Sequence, residues 1–481
     1  MRIDSTPSFN PYTPTPQPAQ RPSGQTASRT TLRPFHAPST PHRYVRSAQQ
    51  HSAPQNRRTH LPTTATQTAH YDATQRLDDP HVARINKQSF YKQRAIEQLT
   101  QGTGKWQDWN RNGQTEIAYS FVQGAGGFNE AQKQEARRAI QSWGDVANLA
   151  FTENGTQTEG RLSFQISDTE KTAQGFFPGR HSKSGDTVFN PHFVKRPTLT
   201  HEIGHTLGLT HPGHYNLTAS EDQRVYAQDS KAHTVMSYFE ARSSGKQLEG
   251  EPKAPMMDDI SAAQTLYGAN RQTRREDNTY GFNSNSGRDY YSLASYRDSA
   301  AFCIWDGAGN DTLDVSGYGN NQVINLRAGS FSDVGGLQGN VSIARDCTIE
   351  NAVGGSGHDV MIGNDANNRL TGGFGADQLR GGRGADIFVY NHASDSTPEA
   401  ADEIMDFTSG IDKLDLRGLE QKANARLTLV TAFTGRAGET IVSYNPSTHR
   451  YFVAIDLAGK RSADFLVKSS QVIRPKDILV N

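Results

Sequence analysis

The sequence predicts an α+β domain followed by an all-β parallel β-roll. Three observations carry that prediction. Helix-like and strand-like segments between residues 82 and 166 lead into a helix with regularly spaced histidines. Residues 354–389 divide into four consecutive nonapeptides that keep one phase. Ahead of both, residues 1–70 have a composition unsuited to a packed core.

The chain has 481 residues, enough for roughly two to four domains. The expected division is 1–70, 71–270 and 271–481. Lys+Arg and Asp+Glu are each 50, so no bulk charge argues for nucleic acid as a partner. Mean hydropathy is −0.72, and no apolar run approaches about 18 residues, so no membrane span is expected. Two cysteines are too few for a disulfide scaffold.

The zero net charge conceals a split. Residues 1–70 carry eight arginines, no lysine and one acid, Asp4, leaving +7 there and −7 in the remainder. Eleven of the 21 prolines also lie there, the last being Pro62. Such a segment cannot bury enough apolar area to offset chain entropy and is expected to be disordered. No apolar core follows Met1, so no Sec-type N-terminal signal is expected. An Arg-rich, acid-poor stretch also fits a transit peptide, but its prolines spoil an amphipathic helix. A solvated tail is the favoured reading, with a pro-segment or linker as the alternative.

Order is expected from about Tyr71. Val82–Leu99 reads as a helix. Residues 128–147 do so more strongly: Asn129 can cap, and Ala136, Ile140 and Trp143 share a face that packs into the core. Thr115–Phe121 and Arg161–Ile166 read as strands.

Thr198–Gly213 reads TLTHEIGHTLGLTHPG. His201 and His205 stand at i and i+4 on one helix face and can reach one ion. Glu202 can accept a proton from a metal-activated water. Gly208 can end the helix with φ > 0, returning the chain so that His211 becomes a third ligand. Three protein ligands leave an open position, the mark of a catalytic site. This H-E-x-x-H-x-x-G-x-x-H pattern is that of the metzincins. The first domain is therefore expected to be an α+β metzincin catalytic domain with one catalytic Zn2+. His214 and His233 are read as bystanders.

Val235-Met236-Ser237-Tyr238 resembles the metzincin methionine turn, with Met236 as a soft packing floor. Tyr238 resembles the tyrosine that binds zinc and swings away from it in serralysins and astacins.

The four nonapeptides are GGSGHDVMI, GNDANNRLT, GGFGADQLR and GGRGADIFV. Position one is Gly354, Gly363, Gly372 and Gly381. Position six is Asp359, Asn368, Asp377 and Asp386. Position eight is Met361, Leu370, Leu379 and Phe388. Glycines permit tight turns, position six supplies a hard oxygen for Ca2+, and position eight faces the core. One repeat cannot bury its own face, so stacking and calcium fold the array together. A related half-turn lies at Asp306–Asp314.

A zinc-protease motif followed by these repeats resembles the serralysins, secreted bacterial metalloproteases with a calcium-binding RTX domain. The resemblance spans roughly residues 75–481. It includes Pro212, Ala254–Asn270, Tyr280–Ser284 and Ser332–Asn351. It implies an endopeptidase with Glu202 as general base and Tyr238 stabilising the oxyanion, without a covalent intermediate.

The resemblance also implies several structural Ca2+ ions. Gly355, Gly357 and Asp359 would pair with Gly372, Phe374 and Asp377. Asn364, Ala366 and Asn368 would pair with Gly381, Arg383 and Asp386. Gly373, Gly375, Gly382 and Gly384 would serve further ions, with Asp395 and Asp402 downstream. Arg274, Asp306, Gly309, Asp311, Thr348 and Glu350 match the first calcium cluster.

As partners it implies protein substrates, a type I secretion apparatus reading a C-terminal signal, and a periplasmic proteinaceous inhibitor. The implied state is an extracellular monomer. The tail Lys476–Val480 suits that signal, although Asn481 follows it.

Some residues depart from the family pattern. His214 stands in place of aspartate, Glu276 and Asn278 in place of glycine and threonine, and Ala308 in place of glycine. Cys303 and Cys347 are unusual for serralysins; two buried small hydrophobes is the favoured reading and a disulfide the alternative. A catalytically dead calcium-dependent binding module is the competing function. An astacin-like metzincin is disfavoured by the nonapeptides and scarce cysteine.

Overall fold

The computed structural model describes residues 87–481 apart from Tyr91, Gln157 and Leu217. The N-terminal tail and the start of the expected Val82–Leu99 helix lie outside the described residues. The described residues belong to one compact unit.

Among the described residues the first helix, α1, runs from Lys92 to Thr100 and buries Ala95, Ile96 and Leu99. Residues 87–90 of the expected span are not helical, because they are drawn into tertiary contacts. Ala227 N–H donates to Gln88 O at 3.0 Å. Phe90 N–H donates to Gln228 Oε1 at 3.0 Å, and the Phe90 ring stacks on Tyr226 at 4.7 Å. A strap bonded to a distant loop cannot also make helical bonds.

A five-stranded sheet follows, built from β1 (Thr115–Phe121), β2 (Leu149–Glu153), β3 (Gly160–Ile166), β4 (Ala173–Gly175) and β5 (Asp186–Phe189). Its order is β2-β1-β3-β5-β4. All pairs are parallel except β4, which runs antiparallel to β5 and forms an edge. Alternate residues of β1 are buried, as a half-covered strand requires.

Helix α2 (Glu130–Val146) starts with Asn129 and Gln132 in a reciprocal capping box. It buries Ala136, Ile140 and Trp143. The Trp143 indole N–H donates to Thr200 O at 3.1 Å in α3 (Arg196–Thr206), so the sheet-covering helix also fixes the histidine helix. Helix α4 (Met257–Tyr267) lies beyond it in sequence.

From Thr279 onward the regular structure is mostly short strands joined by turns, with one α-helix at Arg417–Ala423. Val360–Ile362 pairs in parallel with Gln378–Arg380, and Arg369–Thr371 with Ile387–Val389. Each pairing is offset by 18 residues, two nonapeptides, so successive repeats fall on opposite sheets. Met361, Leu370, Leu379 and Phe388 fill the space between at 0 % exposure. This is the parallel β-roll expected after an α+β domain. An antiparallel meander, Glu439–Asn445, Arg450–Asp456 and Phe465–Ser469, extends one of the two sheets. Among the described residues no helix is long and apolar enough to cross a membrane.

Cys303 and Cys347 are free thiols, both buried. Burial pushes the Cys303 thiol up to about 12. The disulfide alternative is not what the structure contains.

Candidate active site

Helix α3 ends at Thr206, and Gly208 has φ +96°. A Cβ at Gly208 would lie 2.4 Å from Gly104 O, so only glycine fits this turn. The turn brings His211 back against the helix. The Nε2 atom of His211 lies 3.2 Å from that of His201 and 3.1 Å from that of His205.

Each Nδ1 faces a backbone carbonyl: His201 to Val235 O at 2.8 Å, His205 to Leu209 O at 2.7 Å, His211 to Tyr215 O at 3.0 Å. A carbonyl only accepts, so the proton of each neutral ring sits on Nδ1. Three unprotonated Nε2 lone pairs then converge with no hydrogen between them. A cation at their focus relieves that repulsion, and the donor set fits a metal ion. Among the described residues this triad is the one group of three or more His, Cys, Asp or Glu whose ligand atoms lie close enough together to share an ion.

Burial lowers the three imidazoles: His201 to about 4, His211 to about 3, and His205 well below its usual value. They therefore stay in the neutral, ligating form. Burial pushes the Glu202 carboxyl the other way, to about 8, although Gly175 N–H of edge strand β4 donates to it. A cation beside Glu202 favours its carboxylate.

Met236 is buried beneath α3. A Cβ on Gly204, between the two helical histidines, would meet its sulfur at 2.6 Å. The turn is held from below by Asp259, whose carboxylate accepts from Thr234 Oγ1 at 2.5 Å, Val235 N at 2.7 Å and Met256 N at 2.8 Å. Tyr238 is half-buried, its ring centroid 4.6 Å from that of His211 and 5.7 Å from that of His201. Pro212 is buried just after the third histidine. A cavity of about 510 Å³ adjoins the triad, lined among others by Ala173, His201, Glu202, Val235 and Tyr238. His214 and His233 stand outside the triad.

Two buried features escaped the sequence reading. Asp229 accepts from both Tyr215 and Ser237, and Asp259 anchors the methionine turn. Neither belongs to a local motif, and only the fold brings them to the site.

In the roll, Asp359, Asn368, Asp377 and Asp386 are 1 % exposed, and Asp402 is 0 %. Backbone amides hold oxygens of these residues, both of them on Asp359, from Gln322 N and Gly355 N at 2.8 Å. Asp377 Oδ1 accepts from Asp359 N at 2.7 Å, Asp386 Oδ1 from Asn368 N at 2.8 Å, and Asp402 Oδ1 from Asp377 N at 2.8 Å. The second oxygens of Asp377 and Asp402 are buried without a hydrogen-bond partner. Burial, and next to it the neighbouring carboxylates, push Asp377 up to about 7, and burial does the same for Asp386. Buried, raised carboxylates with a bare oxygen fit a hard cation.

Between these turns Gly355, Gly357, Asn364 and Ala366 present carbonyls, and Gly373, Gly375, Gly382 and Gly384 stack directly on them, with ideal Cβ positions 2.0–2.3 Å away. Gly372 and Gly381 press against the Asp377 and Asp386 carboxylates. Phe374 and Arg383 occupy the turns between, the Phe374 ring exposed and Arg383 paired with Asp365.

The upstream residues are less uniform. Burial and the nearby charges of Asp306 and Glu350 push Asp311 up to about 8. Gly309 has φ +140° and lies against Asp311. The Arg274 guanidinium points to Asp145 at 2.9 Å, and Thr348 is exposed. Asp395 Oδ2 accepts from Asn391 N and His392 N.

Asp412 was missed by sequence. Its Oδ1 accepts from Asp386 N at 3.0 Å. The Asp-x-apolar pattern of the repeats continues in Asp402-Glu403-Ile404 and Asp412-Lys413-Leu414, which was the available signal.

Residues 269–480 match the family model described as Peptidase M10 serralysin C terminal. The chain is 42 % identical over 439 residues to Metallopeptidase AprA of Pseudomonas marginalis, covering 82 % of this chain and 92 % of that protein. The chain belongs to the serralysin family. Serralysin C of Dickeya chrysanthemi is 43 % identical over 442 residues, 82 % of this chain and 91 % of its own. Serralysin of Photorhabdus luminescens is 41 % identical over 420 residues, 78 % and 86 %. As a serralysin the chain is a secreted metallopeptidase acting on protein substrates.

Proposed function

We propose that the chain is a calcium-stabilised zinc endopeptidase in which His201, His205 and His211 hold the metal and Glu202 is the general base. The observation that carries this reading is the convergence of three deprotonated Nε2 atoms, that of His211 lying 3.2 and 3.1 Å from those of His201 and His205. Tetrahedral zinc with nitrogen at about 2.0–2.1 Å asks for a ligand spacing near ~3.3 Å.

Zinc supplies Lewis acidity toward the scissile carbonyl and acidifies the attacking water. Glu202 takes the water proton and returns it to the leaving amine. The Tyr238 hydroxyl donates to the oxyanion as charge develops there. Edge strand β4 pairs on one side only, with β5, and its free side accepts an extended peptide as an added strand. In the roll, the buried Asp359, Asp377, Asp386 and Asp402 carboxylates and the turn carbonyls would hold calcium, which would supply the counter-charge those carboxylates lack.

Casein hydrolysis by protein refolded in calcium tests this. Activity is expected, lost on adding 1,10-phenanthroline and regained with about one equivalent of zinc. A zinc-loaded, calcium-bound, N-terminally trimmed protein that leaves casein intact overturns it and favours a calcium-dependent binding module.

A further inference from the structure

The segment Arg224–Asp229 takes no direct part in the proposed chemistry, yet it ends on a fully buried carboxylate behind the metal ligands. Asp229 is 0 % exposed. Its Oδ1 accepts two hydrogen bonds, from Tyr215 Oη at 2.9 Å and from Ser237 Oγ at 2.6 Å. Its Oδ2 is buried without a hydrogen-bond partner.

The two donors lie on different segments. Tyr215 belongs to the loop after His211; its carbonyl faces His211 Nδ1 at 3.0 Å, and its ring stacks on that imidazole at 5.4 Å. Ser237 lies between Met236 and Tyr238, and its Oγ also accepts from Phe239 N at 3.0 Å. The Tyr215 and Tyr238 rings are 5.0 Å apart. One carboxylate oxygen therefore ties together the loop that presents His211 and the turn that presents Tyr238.

Asp229 is itself held. The Arg224 guanidinium, 2 % exposed, donates to the carbonyls of Ala227, Asp229 and Ser243 at 3.0, 3.0 and 2.8 Å. It also lies 5.1 Å over the Phe239 ring. The strap at residues 87–90 braces the same loop from outside through Gln88, Phe90 and Lys87.

We propose that Asp229 is a positioning residue that sets His211 and Tyr238 relative to each other through a shared oxygen. The inference rests on the reading of His211 as a metal ligand and of Tyr238 as the tyrosine that approaches the metal and turns to the oxyanion. Hydrogen-bonded groups behind metal ligands fix ring orientation, and losing one typically costs about 10–100-fold in metal affinity. An aspartate serves here because one carboxylate oxygen has lone pairs enough to accept both hydrogen bonds at once. The sequence holds a compatible pattern, Asp229 eight residues before Ser237, but nothing local reveals it.

The test measures zinc affinity by competition with a chelator, in full-length protein folded in calcium, with far-UV circular dichroism as the fold control. Asp229→Ala is expected to weaken zinc binding at least ~10-fold, while Asp229→Asn, which keeps an acceptor in place, stays within about threefold of wild type. Should Asp229→Ala not fold, the double variant Tyr215→Phe/Ser237→Ala removes both donors and leaves the carboxylate, with the same expected loss.

A second readout separates the Tyr238 branch. In the copper(II)-substituted protein, a phenolate-to-copper absorption band absent from Tyr238→Phe reports the phenol's approach. Ser237→Ala is expected to lose at least half of it. Zinc affinity of Asp229→Ala or the double variant within twofold of wild type overturns the proposal. So does an Asp229→Asn protein as impaired as the alanine variant. A wild-type copper protein without the band removes Tyr238 as a ligand, and the zinc affinities then decide the role of Asp229 through His211 alone.

Discussion

Gly375→Ala in the roll isolates the close stacking of turns two repeats apart. Gly375 has φ +124°, a region essentially reserved for glycine, and a Cβ there would lie 2.0 Å from Gly357 O. That is about 1.5 Å inside ordinary van der Waals separation. The turn cannot slide away, because the strands before the two turns, Asn351–Val353 and Arg369–Thr371, and those after them, Val360–Ile362 and Gln378–Arg380, are locked in parallel register. Backbone strain of this kind costs about 1–3 kcal/mol, and forced displacement in a packed site about 1–3 kcal/mol more. A combined loss of about 3 kcal/mol, at about 2–4 °C per kcal/mol for a domain of this size, lowers the melting temperature by about 6–12 °C. Differential scanning calorimetry in saturating calcium measures the shift. Phe374→Ala is the control in the same turn: its ring is 47 % exposed, and its shift is expected below about 2 °C. A Gly375→Ala protein that melts within about 2 °C of wild type refutes the stacked-turn reasoning.

Asp259→Ala strands three buried donors, Thr234 Oγ1, Val235 N and Met256 N; at about 1–3 kcal/mol for each unsatisfied group the loss is expected to reach about 3 kcal/mol or more in denaturant unfolding, with a drop in zinc content as the turn under α3 loosens. Removing calcium with EGTA leaves the Asp377 and Asp402 oxygens buried without a counter-charge. At calcium about 100-fold above Kd each site contributes about 2.7 kcal/mol, so the roll transition is expected to fall steeply and limited proteolysis to begin within residues 271–481. Cys303 and Cys347 are buried thiols. Iodoacetamide without reductant is therefore expected to add two labels in denaturant and none to the native calcium-bound protein, and an unlabelled denatured chain contradicts this.

The parts of the fold legible in sequence were those fixed by local spacing. The histidine helix, the return at Gly208 and the nine-residue phase each state a geometry in a few neighbouring residues. The capping box at Asn129 is legible for the same reason. What escaped was set by partners far along the chain. Gln88 and Phe90 lose their helical role to a loop more than 130 residues away, so helix-compatible composition did not decide their structure. Asp229 and Asp259 look like ordinary surface acids in sequence, and only burial against Tyr215, Ser237 and the methionine turn gives them a task. Asp412 lay between the two cases: its Asp-x-apolar signature was present, but the spacing to Asp386 had stretched from 18 to 26 residues and left the nonapeptide phase.

The most direct test of the central claim is the rate of Glu202→Gln against wild type on casein, with bound zinc counted in both. Glu202 is buried beside the triad and reached by Gly175 N–H, and proton transfer of this kind typically contributes about 10²–10⁴-fold. The account predicts a loss of at least ~10²-fold with one zinc per chain retained and the melting temperature unchanged. A zinc-loaded, folded Glu202→Gln protein within tenfold of wild type would contradict it.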